Sequence, residues 1–141
     1  MREKGIYLIM RMLTRKNAIR IIVLTTFMLI DAAATASNIS NSSQEGNPLT
    51  GALMGMFGVQ AGLCASAMIE PVFVTALISV HQFLFGKNGK LFAIPLDLLL
   101  GFFIAGPHFS GMLTWYTDFA PGISLLAGAA AYLAGISPLY R

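Results

Sequence analysis

The chain carries little charge. Of its 141 residues, Asp, Glu, Lys and Arg make up 11%, whereas soluble domains have roughly 25%. Hydrophobic residues make up 56%, and the mean hydropathy is +0.72. A soluble core cannot cover so much apolar surface, and the apolar runs are long enough for membrane helices. The composition therefore predicts an all-α integral membrane helical bundle.

The sequence lacks the motifs that are typical of several functional classes. The single cysteine, Cys64, excludes an internal disulfide and a cysteine-based metal cluster. The sequence contains neither a Gly-x-Ser-x-Gly nucleophile motif nor a glycine-rich phosphate-binding loop. Basic residues are not interleaved with aromatics along an extended surface, so we expect no nucleic-acid partner.

Basic residues are concentrated before the first long apolar run. Six of the nine precede it or mark its start: Arg2, Lys4, Arg11, Arg15, Lys16 and Arg20. Positive charge favours the cytoplasmic side, so we expect a multi-pass protein of the cell membrane with a cytoplasmic N-terminus. Residues 1–17 mix apolar and basic positions, which is typical of an amphipathic segment at the lipid headgroups. Residues 18–141 would then form the transmembrane bundle, with the lipid bilayer as its partner.

The apolar runs predict four transmembrane helices, with five as the alternative. They cover about residues 18–37, 48–86, 91–113 and 122–137. At ~1.5 Å per residue the second run would form a helix of nearly 60 Å, about twice one crossing. We expect it to break at Glu70-Pro71, because proline disfavours a helix interior. Lys87 and Lys90 follow this run and favour one net crossing, with a short helix from Pro48 entering the outer leaflet.

Small residues recur at spacings of three and four in the second run. Gly51, Gly55, Gly58 and Gly62 would let another helix approach closely. They predict tight helix packing and offer a surface for a homo-oligomer or a larger membrane complex.

Ionisable side chains are costly in a membrane span unless they are paired, neutralised or hydrated. In the four-span arrangement Asp31, Glu70 and His108 fall in the outer half, near Glu45 and Asn47 of the outer loop. These residues predict a polar pocket that opens outward. With five spans, Glu70 would leave this group.

A second polar pair is expected in the inner half. His81 and Asp97 fall there, but each has a competing interpretation: His81 with Gln82 as a polar pair at the membrane interface, and Asp97 as the cap of its own helix. We expect the carboxylates of the spans to lack a matching lysine or arginine, with Arg20 marking the inner end of the first span.

The outer group has two interpretations. As a ligand site it would bind a divalent cation, relay protons or hold a cationic substrate. Its candidate residues are Asp31, Thr35, Glu45, Asn47, Glu70 and His108. No metal-ligand spacing such as His-x-x-x-His supports a specific metal.

As a purely structural group, the same residues would have local partners. Thr35 follows Asp31 by one helical turn and could share a hydrogen bond with it. Asn47 before Pro48 is a good helix start, and Glu45 is favourable near the positive end of that helix.

Two motifs in this region carry a resemblance to a known family. Asp31-x-x-x-Thr35 and Glu45-x-Asn47-Pro48 resemble the motifs of an uncharacterised family of small bacterial and archaeal membrane proteins. The resemblance covers about residues 19–50. It implies a helical bundle and singles out Asp31, Thr35, Glu45 and Asn47, without assigning them a reaction.

Three functional hypotheses follow. The leading one is a non-enzymatic, transporter-like or ion-binding bundle, or an accessory subunit of a membrane complex. The second is an intramembrane metal-dependent hydrolase that uses Asp31, Glu45, Glu70 and His108. The third is an exported pilin-like subunit, since Ala34-Thr35-Ala36 fits a signal cleavage site that would leave Ser37 as the new N-terminus.

Overall fold

The computed structural model describes residues 14–85 and 89–140, and these residues form helices without a β-strand. The α-helices are α1 (Arg15–Asn38), α2 (Pro48–Phe57), α3 (Val59–Phe85), α4 (Gly89–Leu100), α5 (Gly106–Thr114) and α6 (Pro121–Ile136). A π-helical turn, Gly101–Ala105, joins α4 to α5. Short 3-10 helices cover Ser42–Gln44 and Ser137–Tyr140. Most of the expected amphipathic segment, residues 1–13, lies outside the described residues.

The four-span, all-α prediction is confirmed. Within the described residues, four helical stretches are long and apolar enough to cross a membrane: Arg15–Asn38, Val59–Phe85, Phe92–Thr114 and Pro121–Tyr140. Large apolar side chains such as Ile22, Phe73, Phe83 and Phe103 are exposed on the bundle, where lipid would cover them. The protein is thus a multi-pass helical bundle.

The predicted break at Glu70-Pro71 is wrong. Helix α3 continues through Pro71, and the chain turns at Gly58 instead. Gly58 has a φ of 83°, in the region that favours glycine because it has no Cβ. Residues 48–85 therefore form a short helix and one long crossing, which excludes the five-span arrangement for this block.

Helices α2 and α3 form a tight antiparallel hairpin. A Cβ on Gly62 would lie 2.3 Å from the Cα of Met54, so only glycine permits this approach. Met54, Leu63 and Ile39 form a small apolar core under the hairpin, with Trp115 packed against it. Gly62 thus serves packing within the chain. A Cβ on Gly55 would meet nothing within 4 Å, and the expected oligomer stays a prediction.

The main apolar core draws on all four spans. Its buried members include Leu24, Met28, Val74, Ile78, Leu100, Tyr132 and Ile136. Along α1, Leu24 and Met28 lie between Arg20 and Asp31, and along α3 Val74 and Ile78 follow Glu70. This core therefore separates a polar cluster near the Asn38 end of α1 from another near its Arg15 end.

Candidate functional site

The six candidate residues of the outer group lie around one cavity. Asp31, Thr35, Glu45, Asn47, Glu70 and His108 all line it. Asp31, which lines the cavity, lies about 10 Å along α1 from the last residue of that helix, Asn38, at ~1.5 Å per residue. The cavity therefore extends into the bundle from the Asn38 end of α1. Helices α1, α3 and α5 and the loop before α2 each contribute a polar side chain. The sequence analysis therefore identified residues that the fold brings together.

His108 is the centre of the cluster. Its Nδ1 lies 2.8 Å from Asp31 Oδ2, and its Nε2 lies 3.6 Å from Glu70 Oε2. The imidazole thus stands between carboxylates of two other helices. Gly111, one turn after His108 on α5, allows this approach, because a Cβ there would lie 2.9 Å from Asp31 Oδ1.

The other oxygen of Glu70 has two donors. Glu70 Oε1 accepts from Asn47 Nδ2 at 3.1 Å and from Ser66 Oγ at 3.0 Å. Ser66 Oγ is also 2.7 Å from Thr50 Oγ1, and both hydroxyl residues are buried. These contacts fix Oε1 as an acceptor and direct Oε2 towards His108.

Sequence reasoning missed Thr50 and Ser66 as members of this cluster. Both line the cavity. Ser66 lies one helical turn before Glu70 and Thr50 lies in the first turn after Asn47. That spacing on one helical face was the signal that the sequence offered.

Asn47 is both a helix cap and a member of the polar cluster around the cavity. Its Oδ1 accepts from the backbone N–H groups of Leu49 and Thr50, so it is the N-cap of α2, with Pro48 as the first helical residue. Its amide nitrogen donates to Glu70. Glu45 Oε1 in turn accepts from the backbone N–H of Asn47 at 2.7 Å. The expected helix cap is confirmed, and the same cap holds the loop over the cavity.

The expected hydrogen bond between Asp31 and Thr35 is wrong. The Asp31 carboxylate is engaged by His108, as described above, and Thr35 Oγ1 accepts from Trp115 Nε1 at 3.3 Å. The reason is that α5 packs against α1, so that His108 of α5 and Trp115 directly after it reach these two side chains. Trp115 is the single tryptophan of the chain, and it touches a residue of the cavity lining.

The cavity is small and acidic. Its volume is about 30 Å³, and one water needs roughly 10–15 Å³. Asp31, Glu45 and Glu70 face it, and its described lining contains neither lysine nor arginine. Among residues 14–85 and 89–140, no group of three or more His, Cys, Asp or Glu side chains is arranged to hold a metal ion. The arrangement therefore suits a water, a proton or one small cation.

The second polar cluster contains an ion pair that the sequence analysis did not anticipate. Arg20 Nε and Nη2 donate to the two carboxylate oxygens of Asp97, each at 2.7 Å. Tyr132 and Tyr140 donate to the same carboxylate, and Asn17 Oδ1 accepts from Arg20 Nη1 at 3.1 Å. The pair is almost completely buried. The residues of this cluster come from α1, α4, α6 and the 3-10 helix Ser137–Tyr140.

This pair corrects three expectations. Arg20 does not mark an interfacial end of the span, since it lies inside the bundle and neutralises a carboxylate of another span. Asp97 is bound by side chains rather than serving as a helix cap. No hydrogen bond or ion pair joins His81 to Asp97, and the His81 ring lies beside Phe85, with ring centroids 5.1 Å apart.

Comparisons with models of known protein families, with curated proteins and with solved structures found no match. The resemblance of the Asp-x-x-x-Thr and Glu-x-Asn-Pro motifs to a membrane-protein family therefore stays a prediction. What the structure adds is that both motifs, which are separate in sequence, line the same cavity.

Proposed function

We propose that this chain is a non-enzymatic, transporter-like membrane bundle that binds a small monovalent cation in the cavity around Asp31, Glu70 and His108. The observation that carries the proposal is the convergence of three carboxylates from separate segments on one cavity whose described lining has neither lysine nor arginine. Carboxylates inside a membrane bundle are costly without compensating positive charge. A bound cation would supply that charge.

The cavity has room for one small ion. Its volume has room for about two water molecules. Calcium takes six to eight oxygen ligands and magnesium demands near-ideal octahedral geometry. Among the described residues, no group of three or more His, Cys, Asp or Glu side chains is placed to hold a metal ion, so the proposal is for an ion that needs fewer protein ligands. The same observation leaves the metal-dependent hydrolase without a supporting contact.

The orientation is part of the proposal. Arg15 and Lys16 are exposed at the start of α1, and basic residues favour the cytoplasmic side. With that end in the cytoplasm of a cell-membrane protein, the cavity near Asn38 opens towards the exterior. Arg20 does not contribute to this argument, because its charge is neutralised by Asp97.

Retention of the first helix is also proposed. Helix α1 supplies Arg20 to one polar cluster and Asp31 and Thr35 to the other. Cleavage before Ser37 would remove all three residues and leave Asp97 and His108 without these partners. Such integration favours a membrane-anchored bundle over an exported pilin-like subunit.

The test uses Trp115 as a reporter, because its indole is hydrogen-bonded to Thr35 of the cavity lining. Purified protein in detergent micelles is titrated with sodium or potassium chloride at fixed pH, with N-methyl-D-glucamine chloride holding the ionic strength constant. We expect a saturable change in Trp115 emission. The midpoint of thermal unfolding should rise with the same ion, because a ligand of the folded state stabilises it.

Matched variants separate binding from general electrostatics. Asp31→Asn and Glu70→Gln should weaken the apparent affinity at least tenfold, whereas Asp118→Asn, which removes an exposed carboxylate outside the cavity, should not. The proposal is overturned if neither ion produces a saturable response by either readout. It is equally overturned if all three variants respond like the parent protein.

A further inference from the structure

The loop that joins α1 to α2 does not stay at the end of the bundle. It leaves α1 after Asn38, and its last residue, Asn47, donates a hydrogen bond to Glu70 Oε1 at 3.1 Å. Glu70 lies about 17 Å along α3 from the first residue of that helix, Val59, at ~1.5 Å per residue. The loop therefore descends beside the hairpin of α2 and α3 to the depth of Glu70.

Two helices give the same depth for this point. Lys16 is exposed at the start of α1, and Asp31 lies about 22 Å beyond it along the helix. Glu70 lies the same distance, about 22 Å, from Phe85, the last residue of α3. A hydrocarbon layer of roughly 30 Å that begins at Lys16 and Phe85 would extend about 8 Å beyond Asp31 and Glu70. Asn47, which is hydrogen-bonded to Glu70, therefore lies inside that layer.

The loop is a wall one chain thick between the cavity and the outside of the bundle. Glu45 and Asn47 have extended backbone, and both line the cavity. Gly46 between them and Gln44 before them are exposed. Whatever covers Gln44 and Gly46 is therefore separated from the cavity by a single strand of backbone.

The exposed side of this wall is made of Ser, Asn, Gln and Gly residues. They are Asn38, Ser40, Asn41, Ser43, Gln44 and Gly46. Lipid does not suit them, because irregular backbone at membrane depth is tolerated only inside protein or along a water-filled space. A protein partner does not suit them either, because interface cores are enriched in aromatic residues, Met and Arg and depleted in Ser. Water suits both the side chains and the backbone.

We infer that the loop forms one wall of a water-filled groove, which enters the bundle from its side and reaches the cavity at Glu45 and Asn47. The groove hydrates the exposed loop within the hydrocarbon layer. It also gives the cavity an aqueous route that follows the loop from the end of α1. The inference concerns access to the cavity, and its test requires no bound cation.

Collisions of a nitroxide spin label with dissolved relaxing agents test the groove. The label is attached to Gly46→Cys in a Cys64→Ser background, because Cys64 is the single cysteine of the chain. A Cβ on Gly46 would meet nothing within 4 Å, and Gly46 does not have a positive φ, so the site accepts the substitution. Labelled protein in phospholipid nanodiscs is exposed to a water-soluble nickel chelate and, separately, to oxygen, which concentrates in hydrocarbon.

We expect the nickel collision rate at Gly46→Cys to be within about twofold of that at Asp118→Cys, an exposed position on the loop between α5 and α6. Ile30→Cys is the control for depth, because Ile30 is exposed and precedes Asp31 on α1. Its nickel collision rate should be roughly fivefold lower, and its oxygen collision rate higher, because lipid covers it. Ser43→Cys should behave like Gly46→Cys, and circular dichroism checks that each variant keeps its helices.

Two results would overturn the groove. Frequent oxygen collisions with few nickel collisions at Gly46→Cys and Ser43→Cys would place the loop against lipid. Few collisions with either agent would place protein over it. Neither result bears on cation binding, which the salt titration of Trp115 tests separately, and a titration without a response would leave the groove standing.

Discussion

The guanidinium of Arg20 on α1 meets both carboxylate oxygens of Asp97 on α4 at 2.7 Å. Tyr132 and Tyr140 complete the surroundings of that carboxylate. A paired, hydrogen-bonded charge is tolerated inside a bundle, whereas a single unpaired one is not. This pair therefore ties the first span to the third at the Arg15 end of the bundle.

Removing one partner of this pair should destabilise the protein strongly. Arg20→Met and Asp97→Leu each leave a buried charge uncompensated, which costs about 3–5 kcal/mol in comparable sites. The double variant leaves neither charge and should be more stable than either single variant. Unfolding by sodium dodecyl sulfate, followed by circular dichroism, measures all three. Additive losses in the double variant would contradict this role of the pair.

Gly62→Ala should open the hairpin of α2 and α3. The added Cβ would lie 2.3 Å from Met54 backbone atoms, so the helices must separate. We expect Trp115, which packs on this small core, to show a red-shifted emission. Gly55→Ala is the control on α2, because its Cβ meets nothing within 4 Å. Equal spectra for the two variants would show that the close approach is not required.

Gly111→Ala should disturb the contact between Asp31 and His108. Its Cβ would lie 2.9 Å from Asp31 Oδ1, so the carboxylate must move away from the imidazole. In ¹⁵N spectra of histidine-labelled His81→Gln protein, where His108 is the single imidazole, we expect the single Nδ1–H form of the neutral ring to be replaced by a mixture of tautomers. Gly122→Ala, whose Cβ would meet open space, should leave the spectrum unchanged. A preserved Nδ1–H form in Gly111→Ala would refute the steric argument.

Ser66→Ala should weaken the proposed cation site and reduce stability. It removes a donor to Glu70 Oε1 and leaves the buried Thr50 hydroxyl without that partner. A lost partner of this kind costs about 1–3 kcal/mol. Ser124→Ala is matched in burial but lies on α6 outside the cavity lining. We expect the salt titration of Trp115 to shift in Ser66→Ala alone, and an equal shift in both variants would assign Ser66 a purely packing role.

The sequence was sufficient for the spans and for the ionisable members of the outer cluster, although it did not single out Thr50 and Ser66. Apolar length decides a membrane helix, and an ionisable residue at that depth needs a partner. Asp31, Glu70 and His108 could therefore be grouped by depth alone. The helix cap at Asn47 followed from local chemistry, because Asn before Pro is a strong helix start.

Contacts that depend on the rotation of a helix about its axis could not be predicted from the sequence. Whether Asp31 turns to Thr35 or to His108 depends on which faces of α1 and α5 meet, and depth along the membrane does not specify rotation. The same limit hid the pair of Arg20 and Asp97. The break was misplaced because Pro71 is tolerated within α3, while the turn at Gly58 requires only one residue with a positive φ.

The depth of the cavity has an electrical consequence. With the Asn38 end of α1 at the edge of the hydrocarbon layer, Asp31 would lie about 10 Å inside it, which is about a third of a layer of roughly 30 Å. A cation that entered alone would cross at most that fraction of the membrane voltage, worth about 0.8 kcal/mol, or about fourfold in affinity, for each 100 mV.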